Sequence, residues 1–395
     1  MGLGLSRSAS PPVRCASLQG RSHAALRKSG QIPFRGAEGM IPAEAGTRED
    51  TQVVLGGLQG ETLTGFLAAL GVLRLLTEAG DGVKLFWNTQ PPHHAVLEWG
   101  RPDGQSLEER LAGLLESRVA PLALFPGRKK IKEVSPEEYR EALLEAQSLG
   151  DELLSDLLAA LTSDATARVT KVEKPENGRK QRPPDPEGKT LAPVSALADP
   201  PWCALDGSQQ KNLFLTVRRL QELVRPPVPK RGKEIASGLA ERLRATLQGP
   251  WIEKDEKASL YLEPSLREHA YRWTNPTLDP MRFEGLANLL ALVGLSLWPA
   301  VPEERRGEVV LGSPCCFEKG GGRVEVSWPI WRGALSLAAA RRLILLRDIT
   351  ASVQPTNLAA RGVTAVYRAE AYRLEKGAKV FGSSKAAWRR EDEAA

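Results

Sequence analysis

The stretch VVLGGLQGETLTGFLAALGVLRLLTEAG, residues 53–80, constrains the fold of this chain more than any other. It reads as a short apolar strand, a glycine-rich turn and a long apolar helix. Nucleotide-binding loops share this order of elements, but here no Lys-Ser or Lys-Thr pair opens the helix. The G-x-G-x-x-G spacing of dinucleotide sites does not fit these glycines either. The stretch therefore predicts a packing unit without a phosphate loop.

The helix in this stretch has the pattern of a buried element. Thr62 or Thr64 can cap its first turn, and leucines recur at helical spacing between Phe66 and Leu76. We expect the helix to pack beneath the preceding strand and the hairpin that follows it. We assign the tight turn from strand to helix to three residues without side chains, namely Gly56, Gly57 and Gly60.

The positive charge of the chain is unevenly distributed. Its 395 residues carry a formal net charge of +6, and residues 1–37 hold six basic residues and no acidic one. Without that leader, basic and acidic residues are equal in number. A transit peptide or a start assigned upstream of Met40 would each explain the leader, and we favour the second because the segment has no apolar helical face. We expect residues 1–50 to be disordered or outside the true protein.

Composition favours a globular protein of a reducing compartment. The four cysteines include no C-x-x-C pair, and adjacent Cys315 and Cys316 cannot form an unstrained disulfide. We expect the cytoplasm, no membrane span, no metal and no cofactor.

Helical and strand-like segments alternate irregularly, which predicts a mixed, helix-rich α+β fold with several short antiparallel strand pairs. Residues 51–165 contain the opening unit and acidic helices, beginning with a capping box at Ser135 whose apolar pattern continues to Leu161. Residues 166–200 are rich in proline and charge, which is typical of a mobile linker. Residues 201–390 form the second predicted domain, with basic strips.

Catalytic motifs are scarce. His93, His94 and Glu98 make the most metal-like cluster, with His94 and Glu98 on one face of a predicted strand. His269, beside Glu268, is a second candidate acid or base. These residues leave open a metal-dependent nuclease or hydrolase. However, the chain has no H-E-x-x-H, G-x-S-x-G or C-x-x-C motif, which favours a protein without an active site of its own.

Basic residues interleaved with aromatic residues give the clearest functional signal. Residues 319–390 contain 14 basic and 4 acidic residues. The aromatic residues that lie between these basic residues include Tyr367, Tyr372, Phe381 and Trp388. This combination is typical of a groove that follows a phosphate backbone while rings stack on bases. From charge alone, we predict ten nucleic-acid-binding residues: Lys211, Arg218, Arg219, Arg341, Arg342, Arg368, Arg373, Lys376, Lys379 and Lys385.

Four segments together resemble subunits of the CRISPR type I-U (I-G) effector complexes that stand in for the Cascade large subunit. They are LGGLQGETLTGFLAALGVLRLL, YRWTNPT with FEGLANLLALVGLSLWPAVP, VEVSWPIWRGALSLAAARRLILL and GVTAVYRAEAYRLEKGAKVFG. The resemblance implies a non-enzymatic subunit that contacts CRISPR RNA and target DNA beside other CRISPR-associated subunits. It also implies recruitment of a separate helicase-nuclease. A third possibility is an assembly protein held through its acidic helices, residues 135–163.

Overall fold

The computed structural model describes the chain in thirteen segments. They are residues 51–100, 104–125, 134–166, 168–170, 194–203, 209–225, 237–251, 259–262, 283–305, 307–319, 323–350, 355–373 and 379–390. The leader at 1–50 and most of the predicted linker lie outside them.

The fold is mixed α+β, as the sequence predicts, and every strand pair in the described segments is antiparallel. The helices are α1 Leu63–Glu78, α2 Leu107–Leu114, α3 Pro136–Ser148, α4 Glu152–Leu161, α5 Gln209–Glu222, α6 Leu239–Gln248, α7 Gly285–Leu295, α8 Leu337–Ile344, α9 Arg347–Thr350 and α10 Pro355–Ala360. In the described part of the chain, no helix is both long enough and apolar enough to span a membrane.

The strands form two larger sheets and two hairpins. The N-terminal sheet has the order β1-β3-β2, and the C-terminal sheet has the order β11-β10-β9-β8, with β12 also paired to β10. The pairs β4-β5 and β6-β7 stand alone. The strands are β1 Thr51–Gln59, β2 Lys84–Trp87, β3 His94–Trp99, β4 Arg168–Thr170, β5 Val194–Ala196, β6 Val301–Arg305, β7 Glu308–Gly312, β8 Cys316–Lys319, β9 Arg323–Trp331, β10 Val363–Arg373, β11 Lys379–Phe381 and β12 Lys385–Arg389.

Helix α1 packs against α7 so closely that their backbones touch. A Cβ on Gly71 would lie 2.0 Å from the carbonyl oxygen of Leu290, and one on Gly294 would lie 2.0 Å from that of Leu67. Glycine at both positions is therefore a requirement of the helix crossing. Both helices are buried on all sides, apart from the C-terminal turn of α1.

The two predicted domains share this core. Helix α1 comes from residues 51–165 and α7 from residues 201–390, and residues 48–395 form one compact unit. The predicted domain bounds stay a prediction, since most of residues 166–200 lie outside the described segments.

An aromatic cluster joins α1 to both sheets. The ring of Phe66 stacks on Trp87 of β2 at a centroid distance of 5.8 Å and meets the edge of Trp331 of β9 at 6.2 Å. Trp298 and Trp328 complete the cluster, at 6.4 and 6.2 Å from Phe66. Burial of these large rings contributes several kcal/mol of hydrophobic stabilisation, of the order of 1.5–3 kcal/mol for each large side chain.

Of the three glycines before α1, Gly60 lies in the turn that the sequence predicts, which the hydrogen bond from the Thr62 N–H to the carbonyl oxygen of Gln59 closes. Gly56 and Gly57 lie within β1, in an irregularity of its register, and none of the three glycines has a positive φ. A Cβ on Gly57 would lie 2.2 Å from the carbonyl oxygen of Thr246 in α6. A Cβ on Gly60 would lie 2.5 Å from Cδ1 of Ile330. All three glycines provide space for neighbouring segments.

Helix capping follows the sequence closely, but one helix is divided. Ser135 and Glu138 form the predicted capping box of α3, with Pro136 in the first turn. Gly150 then takes a φ of +66°, which ends this helix and lets α4 start anew. The apolar pattern up to Leu161 therefore belongs to two helices.

A buried ionic network joins α1, α4, α8 and the end of α7. Arg74, only 2% exposed, donates to Glu78 at 2.7 Å, to Asp156 at 2.9 Å and to Ser296 at 2.7 Å. Arg341 donates to both carboxylate oxygens of Asp156 at 3.2 Å. Because the charge of Arg74 is matched by two carboxylates, its burial is compatible with a stable fold.

Candidate nucleic-acid interface

Four basic side chains lie on one face of the C-terminal sheet. Residues directly opposite each other on antiparallel strands share a face. Arg368 on β10 is opposite Lys385 on β12, and Lys319 on β8 is opposite Arg323 on β9. Alternation along each strand places further residues on the same side. Ser327, opposite Arg368, and Val366, opposite Trp388, lie on this side as well but are fully buried. We call the remaining residues of this side the charged face, namely Phe317, Lys319, Arg323, Glu325, Arg368, Glu370, Lys385 and Trp388.

Two carboxylates organise the basic residues of the charged face. Glu325, with a side chain only 8% exposed, is in contact with Lys319 and accepts a hydrogen bond from Arg368 at 3.0 Å. Arg323 lies 3.6 Å from Glu370. Four cations against two carboxylates leave a positive surplus on the described residues of this face. Among those residues, Lys385 is exposed and no carboxylate pairs with it.

The charged face also presents two rings. Phe317 is 46% exposed, which is unusual for a phenylalanine, and Trp388 is half-buried with one side against the core. Exposed rings beside guanidinium and ammonium groups allow stacking on nucleic-acid bases while the cations contact phosphates. The charged face therefore combines cations with exposed ring surface, and nucleic-acid binding by its residues stays a prediction.

The opposite side of the sheet, which we call the aromatic face, is formed by Trp328, Ile330, Tyr367 and Arg389. The hydroxyl of Tyr367 accepts a hydrogen bond from Nη2 of Arg389 at 3.0 Å, and that guanidinium lies 5.7 Å from the tyrosine ring centroid. Burial raises the pKa of Tyr367, and the carboxylate of Glu61 raises it further. The phenol is consequently neutral at physiological pH.

Contacts from the aromatic side fix β12 in place. The hydroxyl of Ser384 donates to the carbonyl oxygen of Glu61, in the segment that leads into α1. The carboxylate of Glu61 accepts from the backbone N–H of His93 at 2.8 Å. The residue after Ser384 is Lys385, so the segment that opens the fold also determines where this lysine is presented.

The remaining predicted site residues lie elsewhere or outside the described part. Arg342 is exposed on α8, whereas the neighbouring Arg341 is held by Asp156. Arg218 and Arg219 are exposed on α5, which packs against α7. Lys376 and the side chains of Lys211, Arg373 and Lys379 lie outside the described residues; the backbones of Arg373 and Lys379 are register partners.

Sequence reasoning missed one ring, two cations and both carboxylates of the charged face. Phe317, Lys319 and Arg323 flank a glycine-rich connection between two strands. Their alternation in the segments CFEK and RVEV was the available signal, because it places Phe317 with Lys319, and Arg323 with Glu325, on one side of each strand. Pairing of those two strands could have joined them into one surface.

The proposed metal cluster does not come together. His94 and Glu98 are four residues apart on β3, which separates them by about 13 Å along an extended strand. One ion cannot be bound by both, since ligand bonds are about 2 Å long. Glu98 instead lies 3.5 Å from Lys84. The described residues contain no group of three possible metal ligands, while Glu268 and His269 lie outside them.

The other histidine and the cysteine pair have structural surroundings. Nδ1 of the buried His93 donates to the carbonyl oxygen of Asn88 at 2.9 Å. Cys315 and Cys316 are not joined by a disulfide, and burial raises the pKa of Cys315 well above its ordinary value. A thiol in that state is a poor nucleophile.

Comparison of the chain with family models finds no match. Comparison with curated proteins finds none either.

Proposed function

We propose that the chain is a non-enzymatic, cytoplasmic subunit of a type I CRISPR complex that binds the phosphate backbone of CRISPR RNA or target DNA. The observation that carries the proposal is the charged face, where Lys319, Arg323, Arg368 and Lys385 meet beside an exposed ring. In such a complex, base pairing reads the target sequence, and the protein contributes backbone contacts.

The ion pairs within the charged face suit this role. Glu325 holds Arg368 in one orientation from beneath, so less side-chain entropy is lost when a phosphate binds. Lys385 is exposed, and Arg323 is 64% exposed beside its exposed partner Glu370, so both cations can be reached by a polyanion. The assignment to CRISPR complexes, with other CRISPR-associated subunits and a separate helicase-nuclease as partners, depends on the four sequence segments.

Filter binding with single-stranded RNA and duplex DNA tests the proposal. We expect the double variant Arg323→Glu/Lys385→Glu to bind at least about tenfold more weakly than the natural chain at low salt. The slope of log K against log salt should fall by about 2, because two phosphate contacts are lost.

Arg244→Glu is a single-reversal control, because Arg244 is an exposed cation on α6, which packs against β1 of the N-terminal sheet. It should leave affinity nearly unchanged. Failure of the natural chain to bind either nucleic acid, or an equal loss in the control, would refute a specific role for the charged face. Absence of co-purification with CRISPR-associated subunits would refute the assignment to that complex.

A further inference from the structure

A cavity of about 600 Å³ opens on the acidic helical region. It lies between the end of α1, the segment 117–123, α3 and the start of α4. Its lining includes the apolar residues Leu122, Ala142, Leu153 and Leu154. This volume is within the range of about 300–1,000 Å³ that is typical of ligand sites. At the rim, Leu149 is 73% exposed, so apolar surface continues beyond the cavity itself.

The rim of the cavity is acidic. Glu78, Glu145, Asp151 and Glu152 line it, against the single cation Arg118. Glu145 and Glu152 are exposed, and within the described segments neither forms an ion pair. The rim therefore offers carboxylates that an incoming cation can reach without first breaking an existing pair.

Three helix ends lie at the cavity. Helices α1 and α3 end there, and their last carbonyl groups carry partial negative charge. Helix α4 begins there, and its partial positive charge faces the carboxylate of its cap, Asp151. Arg118 already shows how a guanidinium binds there: its Nη2 donates to the carbonyl oxygen of Glu78 at 3.3 Å and its Nη1 to Oε2 of the same residue at 3.4 Å. A second cation would meet similar groups at the end of α3.

We propose that this cavity docks a basic amphipathic segment of a partner protein. An apolar side chain of that segment enters between Leu122 and Leu154, and neighbouring Lys or Arg side chains contact Glu145 and Glu152. Charge complementarity excludes nucleic acid from this rim and favours a cationic partner. The exposed Leu149 favours a peptide over a small polyamine, because a polyamine would leave that leucine uncovered. The inference goes beyond the proposed function and holds whatever the charged face binds.

Fluorescence anisotropy with the full chain tests the inference. The probe is a labelled peptide of about 14 residues, with leucines at helical i, i+3, i+4 and i+7 spacing and lysines elsewhere. A peptide with the same leucines and glutamates for lysines is the first control, and a lysine–glycine peptide without leucines is the second. We expect the first peptide to bind with a Kd below about 100 µM and both controls to bind at least about tenfold more weakly.

The double variant Glu145→Lys/Glu152→Lys should weaken binding of the leucine–lysine peptide at least about tenfold. Glu304→Lys, an exposed acidic residue on the β6-β7 hairpin, is the matched control and should bind as the natural chain does. Thermal unfolding monitors folding of each variant. The proposal would be overturned if the peptide did not bind, or if all variants bound it equally. Two further measurements could also overturn it: equal competition by spermine would indicate a polyamine site, and self-association that the double variant abolishes would indicate a second copy of the chain as the occupant.

Discussion

The two faces of the C-terminal sheet use the same strands for opposite purposes. On the aromatic face, Trp328 and Tyr367 are buried against α1 and its surroundings, and Trp328 donates a hydrogen bond to the carbonyl oxygen of Gly60. On the charged face, Arg323 and Lys385 are exposed, and Phe317 remains largely uncovered. A strand that alternates in sequence can thus contribute to the stability of the fold with one set of residues and present charged side chains to solvent with the other.

The largest expected effect is on the aromatic face. Trp328→Ala removes a fully buried ring and leaves the carbonyl oxygen of Gly60 without its donor, so we expect a loss of about 3–5 kcal/mol of unfolding free energy. Urea denaturation measures this loss. Phe317→Ala on the charged face is the matched control and should cost less than about 1 kcal/mol. Equal losses would mean that the two faces do not differ as described.

Removing the buried carboxylate of the charged face should have an intermediate effect. Glu325→Ala leaves Arg368 and Lys319 without their shared partner, and we expect a loss of about 1–2 kcal/mol, because both cations can still reach water. The exposed pair serves as the control: Glu370→Ala should change the unfolding free energy by less than about 0.5 kcal/mol. A loss for Glu325→Ala no larger than the control would show that Glu325 does not organise this face.

Ionisation of the Tyr367 phenol makes the stability of the folded chain depend on pH. Its pKa is raised in the folded state, so its stabilising contribution is complete below the unfolded-state pKa of about 10 and decreases as pH rises above that value. Tyr367→Phe removes this dependence and the hydrogen bond from Arg389, at a cost of about 1 kcal/mol near neutral pH.

Urea unfolding of both proteins between about pH 8 and pH 11 separates the two effects. The natural chain should lose stability more steeply than the variant above about pH 10. Parallel pH profiles would show that the folded state does not favour the neutral phenol.

The smallest effect, and one of opposite sign, is expected at Lys385. It lies directly opposite Arg368, and like charges in that position repel. Lys385→Glu should therefore raise the unfolding free energy by up to about 0.5 kcal/mol at low salt, and the gain should disappear at about 1 M salt. Lys385→Gln is the control and should give a smaller gain. A clear loss of stability would indicate that Lys385 supports the fold.

Local features of the fold were predictable from the sequence because neighbouring residues determine them. Thr62, Ser135 and Ser336 cap the helices that they precede, and the alternation of residues 363–373 gives β10. The hydrophobic pattern of α1 likewise predicts a buried helix. In each case the informative residues lie within one or two turns or a few strand positions of one another.

The candidate site was predictable only in part, because a count of charged residues does not show which of them form ion pairs or which strands lie side by side. Arg368 and Lys385, both predicted from charge, lie directly opposite each other because β10 pairs with β12. Arg341 looked equally suitable in the sequence, yet Asp156, 185 residues away, holds it within the ionic network. Phe317 and Lys319 belong to the charged face because β8 pairs with β9, and the sequence does not show that pairing.

By itself, the sequence determined the capped helices, the alternating strands and the surplus of basic residues near the C-terminus, because these follow from interactions between residues close in the chain. Tertiary structure alone decided that Gly71 and Gly294 bring two helices into backbone contact, and which cations are exposed rather than paired. Those outcomes depend on contacts between residues far apart in the chain. A local sequence pattern does not show which distant carbonyl or carboxylate lies next to a given glycine or arginine.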